Sequence, residues 1–125
     1  MDWSRWPNFG RNEFVCRCGC GRADMDPAFM DWLQKVRTAC GFPFRVTSGY
    51  RCTEHNARVN GGPAHPSGRA ADIAVQGEHA MILMREALIR SVAGLGVQQK
   101  GIGRFIHLDR YDGPSAARPT MWDYK

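Results

Sequence analysis

Several common features are missing from this 125-residue chain, and each absence narrows what it can be. No apolar run approaches the roughly 18–20 residues that a membrane-spanning helix requires, so a helical integral membrane protein is excluded. The opening stretch, Met1-Asp-Trp-Ser-Arg-Trp-Pro-Asn-Phe9, lacks the apolar segment of a secretory leader. The expectation is a protein made in a cytoplasm, needing some other route of release to act outside it. Low-complexity tracts, internal repeats and linker-like stretches are absent, which leaves one domain over residues 1–125, long enough to bury a core unaided. Basic residues outnumber acidic ones by 17 to 12, for a net charge of +5, yet no basic run interleaved with aromatics occurs. That argues against nucleic acid and favours another anionic partner, an envelope or cell-wall polymer among them.

Cysteine is present in an odd number, five, at positions 16, 18, 20, 40 and 52. An odd count without a leader does not read as a disulfide framework. Cys16-Arg-Cys18-Gly-Cys20 could hold a structural zinc together with Cys40 or Cys52, because thiolates dominate closed zinc sites. The chain has no C-x₂-C knuckle to match that reading. Reduced buried thiols and a disulfide formed after release stay open beside it.

The periodicities predict an α+β fold: a small antiparallel or mixed sheet with helices on one side. Asp26-Pro27 starts a helix, with Asp as cap and Pro where its missing N–H costs nothing. Phe29, Leu33, Val36 and Cys40 form its apolar stripe, and Gly41 and Pro43 end it. Phe44–Ser48 alternates as a strand. Thr53 caps a short helical turn running to Val59, and Asn60-Gly-Gly-Pro63 breaks into a loop. Arg69–Val75 reads as a second strand. Glu78–Val92 reads as a second long helix, closed by Gly94 and Gly96. Gly101–Gly103 and Phe105–Tyr111 form a strand pair or one bent strand, and the tail with Pro114, Pro119 and Trp122 adds a turn and a last strand.

Within this frame, His65, Asp72 and His107 are the residues with metal chemistry. Side chains two apart on a strand share a face, so Asp72 and His107 can stand side by side on neighbouring strands. His65 then arrives from the Gly/Pro loop. Two imidazoles and a carboxylate are the protein share of a catalytic zinc site, whose remaining position is left to water. Gly68, Ala70 and Ala71 leave room near the backbone. Taken alone, a histidine in a strand is more often a hydrogen-bonded residue than a ligand, and a half-buried aspartate is rarer because it needs a partner; the combination carries the weight.

Four ordered motifs carry a resemblance: Ser48-Gly-Tyr-Arg51, Glu54-His-Asn56, His65-Pro-Ser-Gly-Arg-Ala-Ala-Asp72 and His107-Leu-Asp109. Together, from about Phe9 to Tyr111, they resemble the M15 family of zinc peptidases, which includes D-alanyl-D-alanine carboxypeptidases and phage endolysins that cut the peptide stems of peptidoglycan. The resemblance implies a Hedgehog/DD-peptidase-like fold and Zn²⁺ held by His65, Asp72 and His107. It also implies that Arg51 binds the substrate carbonyl or carboxylate and stabilises the oxyanion; a structural salt bridge is the plain alternative for that residue. Two departures stand out. Where some members place a general base three residues before the last ligand, this chain has Arg104. Asp109 then becomes the candidate base, with holding His107 or Arg51 in place as its rival role. A family serine two residues before the first histidine is Pro63 here, which removes no ligand.

The remaining candidates have plain readings. His55 and His79 have no partner ligands and read as solvated or core histidines. Glu54 and Asn56 line the cleft or support Arg51; Trp3, Trp6 and Trp122 form an aromatic rim or pack the chain ends. The expectation is therefore a monomeric zinc metallopeptidase acting on peptidoglycan peptides, of phage or prophage endolysin type, reaching the wall on lysis. The alternatives are a non-catalytic, zinc-stabilised wall-binding or phage structural domain of the same fold, and a small Cys-zinc nucleic-acid or adaptor protein.

Overall fold

A computed structural model describes residues 1–124. Helix α1 (Pro27–Cys40) begins where Asp26 accepts the N–H of Phe29, and it stops at Gly41, whose φ of 76° is the left-handed turn that glycine adopts freely. Its buried stripe is Phe29, Met30, Leu33 and Val36. Helix α2 (Thr53–Arg58) is short, and helix α3 (Gly77–Ile89) buries Ala80, Leu83 and Ala87. The strands are β1 (Arg45–Ser48), β2 (Ala70–Ala74), β3 (Gly94–Gln98), β4 (Phe105–Asp109) and β5 (Thr120–Asp123). They form one sheet in the order β1-β2-β4-β3-β5, antiparallel except for the β3–β5 pair. The fold is thus α+β with a mixed sheet.

The two faces of this sheet have opposite chemistry because the side-chain period of a strand is two. One face carries Val46, Ala71, Ile73, Leu95, Ile106 and Leu108, all packed with the stripes of α1 and α3 into the main core. Burying each of the larger aliphatics contributes roughly 1.5–3 kcal/mol. The other face carries Ala70, Asp72, Gly94, Gly96, His107 and Asp109, matched across the ladders as Asp72 with His107 and Gly96 with His107. The register that sends the aliphatics inward therefore also lines up the polar residues.

Three sequence expectations need correcting. Gly94 and Gly96 lie inside β3 rather than closing the second long helix, which ends at Ile89. A Cβ on Gly94 would collide with the Asp109 carboxylate, and one on Gly96 would lie 2.6 Å from Trp122 Nε1; close approach, not helix termination, explains these glycines. The pair Gly101 and Gly103, at φ of 64° and 70°, forms the β3–β4 turn instead of a strand. Finally, the cap of α2 is Cys52, whose Sγ accepts the N–H of His55, and Thr53 is the first helical residue.

Candidate metal centre

His65, Asp72 and His107 each offer one ligand atom, and the three atoms lie within 4.8 Å of one another. Asp72 and His107 are direct partners on β2 and β4, with Asp72 Oδ1 at 3.0 Å from His107 Nδ1. His65, in the loop before β2, places Nε2 at 3.4 Å from the same carboxylate oxygen. Its other nitrogen, Nδ1, is 2.7 Å from the carbonyl of Gly49. A carbonyl only accepts, so Nδ1–H donates to it and Nε2 is the nitrogen left directed at Asp72.

His107 is fixed in the same way from the opposite side. Its Nε2 lies 2.7 Å from Asp109 Oδ2, so Nε2–H donates there and Nδ1 turns toward Asp72. Asp109 is fully buried, and Arg118 grips both its oxygens, Nε to Oδ1 at 3.0 Å and Nη2 to Oδ2 at 2.9 Å. The N–H of Tyr111 adds a third donor at 3.1 Å. Burial would raise the Asp109 pKa, but His107 and Arg118 outweigh it and hold it at about 2. Burial also opposes ionisation of Asp72, whose carboxyl is nonetheless held well below the usual range by hydrogen bonds to His107 and His65. For His107 burial favours the neutral ring, while Asp109 and Asp72 together raise its pKa.

The donor set fits zinc. Ligand atoms about 2.0–2.1 Å from a tetrahedral Zn²⁺ stand roughly 3.3 Å apart, close to the 3.0 and 3.4 Å separations around Asp72 Oδ1. Each histidine also has the orienting acceptor behind it that zinc-binding histidines use: Gly49 carbonyl for His65, Asp109 for His107.

The three donors open onto a cleft of about 600 Å³ also lined by Arg51, Arg118, Trp122 and Tyr124. Arg51 is aimed by Asn56 Oδ1 at 3.1 Å and Ser48 Oγ at 3.3 Å. Asn56 in turn donates to the carbonyls of Gly61 and Gly62, tying the far lip of the cleft to the same arginine. Of the two roles left open for Asn56, support of Arg51 is the observed one. Glu54 is exposed on α2, and His55 borders a smaller pocket on the other side of Arg51, not the cleft of the three donors. His79 is exposed and stacks on Phe42 with ring centroids 3.9 Å apart. The tryptophans separate: Trp3 and Trp6 pack against each other and Trp3 against Phe14, whereas the Trp122 ring lies 5.1 Å from that of His107.

Arg118, Trp122 and Tyr124 took no part in the catalytic or metal assignments made from the sequence. A buried Asp109 demands a cation, but nothing in the order of residues tells which of many arginines answers. Trp122 reaches His107 only because β5 lies beside β3.

Two oriented imidazoles, one carboxylate and a guanidinium over the same cleft are a donor set that could hold a metal ion and the kind that metal-dependent hydrolases use. The chain belongs to the peptidase M15 family, whose family model matches residues 7–109. M15 peptidases are zinc enzymes, and the peptidase class therefore applies to this protein. All three donors, Arg51 and Asp109 lie within the matched residues, while Arg118, Trp122 and Tyr124 lie beyond them. A search of curated proteins finds no match. Among the described residues, no helix is long and apolar enough to cross a membrane.

Proposed function

We propose that this protein is a zinc-dependent peptidase that cuts the peptide stems of peptidoglycan, working as a monomer of phage or prophage endolysin type that reaches the wall when the cell lyses. The single observation that carries the reading is the convergence of His65, Asp72 and His107 on one point of a cleft that Arg51 also lines. A divalent zinc ion held by those three would act as a Lewis acid and lower the pKa of water to about 7. Everything else falls to the chain. Arg51, braced by Asn56 and Ser48, binds the scissile carbonyl or a terminal carboxylate and stabilises negative charge as it develops. Trp122 offers an apolar wall beside His107. The positive charge of Arg51, and the +5 of the whole chain, suits an acidic wall peptide.

Burial favours one of the two roles left open for Asp109. Its oxygens are occupied by His107, Arg118 and the Tyr111 N–H, so it serves better to hold His107 in one tautomer than to take a proton from water in the cleft.

Digestion of purified peptidoglycan by the zinc-loaded protein, read by mass spectrometry of the fragments, tests the proposal. New amino termini are expected, with none from His65→Ala or Asp72→Ala. Folded, zinc-loaded protein that leaves sacculi uncut would point instead to the non-catalytic wall-binding alternative.

A further inference from the structure

The peptidase reading leaves the cysteines unused. All five are free thiols, and four of them, Cys16, Cys18, Cys20 and Cys52, bring their Sγ atoms within 4.8 Å of one another. Cys16 and Cys18 Sγ are 3.4 Å apart, and Cys18 and Cys52 Sγ 3.6 Å apart. A disulfide would need about 2.05 Å. Four thiolates around a tetrahedral zinc, each near 2.3 Å from it, stand roughly 3.8 Å apart. The observed spacing is close to the second figure and far from the first.

The local backbone is shaped around this convergence. Residues 16–22 form no helix or strand; they close on themselves through Cys16 N–H to the Arg22 carbonyl at 2.8 Å. Gly19 and Gly21, at φ of 89° and 79°, supply the left-handed turns that bring Cys18 and Cys20 back toward Cys16. Two backbone donors point at sulfur: Cys52 N–H at Cys16 Sγ, 3.3 Å, and His55 N–H at Cys52 Sγ, 3.4 Å. Such donors suit thiolates better than thiols, since charge strengthens the bond. Cys16 and Cys52 are buried, Cys18 half-buried and Cys20 exposed, so the cluster has a floor and an open entrance.

We propose that Cys16, Cys18, Cys20 and Cys52 form a closed structural zinc site, separate from the centre at Asp72. Of the two cysteines that could complete the Cys16–Cys20 set, the geometry selects Cys52; Cys40 ends α1 and stands outside the cluster. The site staples the irregular N-terminal segment to the start of α2. Cys52 follows Arg51 directly and caps the helix that carries Asn56, so the staple also steadies the guanidinium over the cleft.

The test uses the full chain carrying His65→Ala and Asp72→Ala, which removes the other centre, purified under reducing conditions with zinc present. About one zinc per chain is expected, falling to none when Cys18→Ser and Cys20→Ser are added and unchanged by Cys40→Ser. Cobalt in place of zinc should give sulfur-to-metal charge-transfer absorption in the first variant. A folded His65→Ala/Asp72→Ala chain that binds no zinc, or an intact mass showing a disulfide, overturns the site. Should the added serines prevent folding, the zinc content and cobalt spectrum of the cysteine-intact variant still decide. The peptidase reading is tested separately: uncut sacculi with thiolate-bound zinc present would sink that reading and leave this one standing.

Discussion

Asp109 sits at the base of a relay that runs Arg118, Asp109, His107, Asp72, with every link between 2.7 and 3.0 Å. A carboxylate with no exposed surface is tolerated only because three donors surround it. Arg118→Ala would strand that charge, and the expected loss is about 3–5 kcal/mol of stability. His107 would also lose its fixed orientation, so zinc affinity should fall by roughly 10–100-fold. Urea unfolding and zinc titration check the pair of effects; unchanged zinc affinity would show that Arg118 braces only the fold. Asp72 and His107 were readable from the sequence, because a carboxylate or imidazole set among alternating apolar residues must have a partner. Arg118 was not readable, because only the return of the tail past Asp109 distinguishes it from the other arginines.

At the scale of elements, β3 is the instructive case. Its glycines resemble a helix stop when read along the chain, and that resemblance hides the strand. In space, Gly96 leaves room for the Trp122 indole and the Tyr124 hydroxyl, which would lie 2.6 and 2.8 Å from an added Cβ. Gly96→Ala should therefore push Trp122 from its place beside His107 and cost about 1–3 kcal/mol through overpacking. A urea midpoint equal to that of the parent would refute this account. Helix α1 lies at the other extreme: cap, proline, stripe and terminating glycine are local signals, and its bounds agree with them.

For the molecule as a whole, the sheet separates two tasks. Its aliphatic face packs on α1 and α3 and supplies stability; its polar face gathers residues separated by more than forty positions into one donor set. Ion binding to that set must then stabilise the fold, since the unfolded chain cannot keep the donors together. Zinc at 100 times its dissociation constant should add about 2.7 kcal/mol per site, several degrees in the unfolding midpoint of a chain this size. Chelation should remove the gain, and Asp72→Ala should lose the share owed to this centre. A midpoint indifferent to zinc would contradict the donor assignment.

The sequence alone determined the binary pattern, the two ends of α1, and which residue types could bind a metal, since these depend on neighbours a few positions away. It also narrowed the candidate ligands to His65, Asp72 and His107 through the order of its motifs. Only the tertiary structure decided that Asp109 is buried and gripped by Arg118, that Trp122 lies beside His107, and that Cys52 rather than Cys40 joins the other thiols. Those choices depend on which distant strands and loops become neighbours, and contacts across such separations leave no periodic trace in the chain.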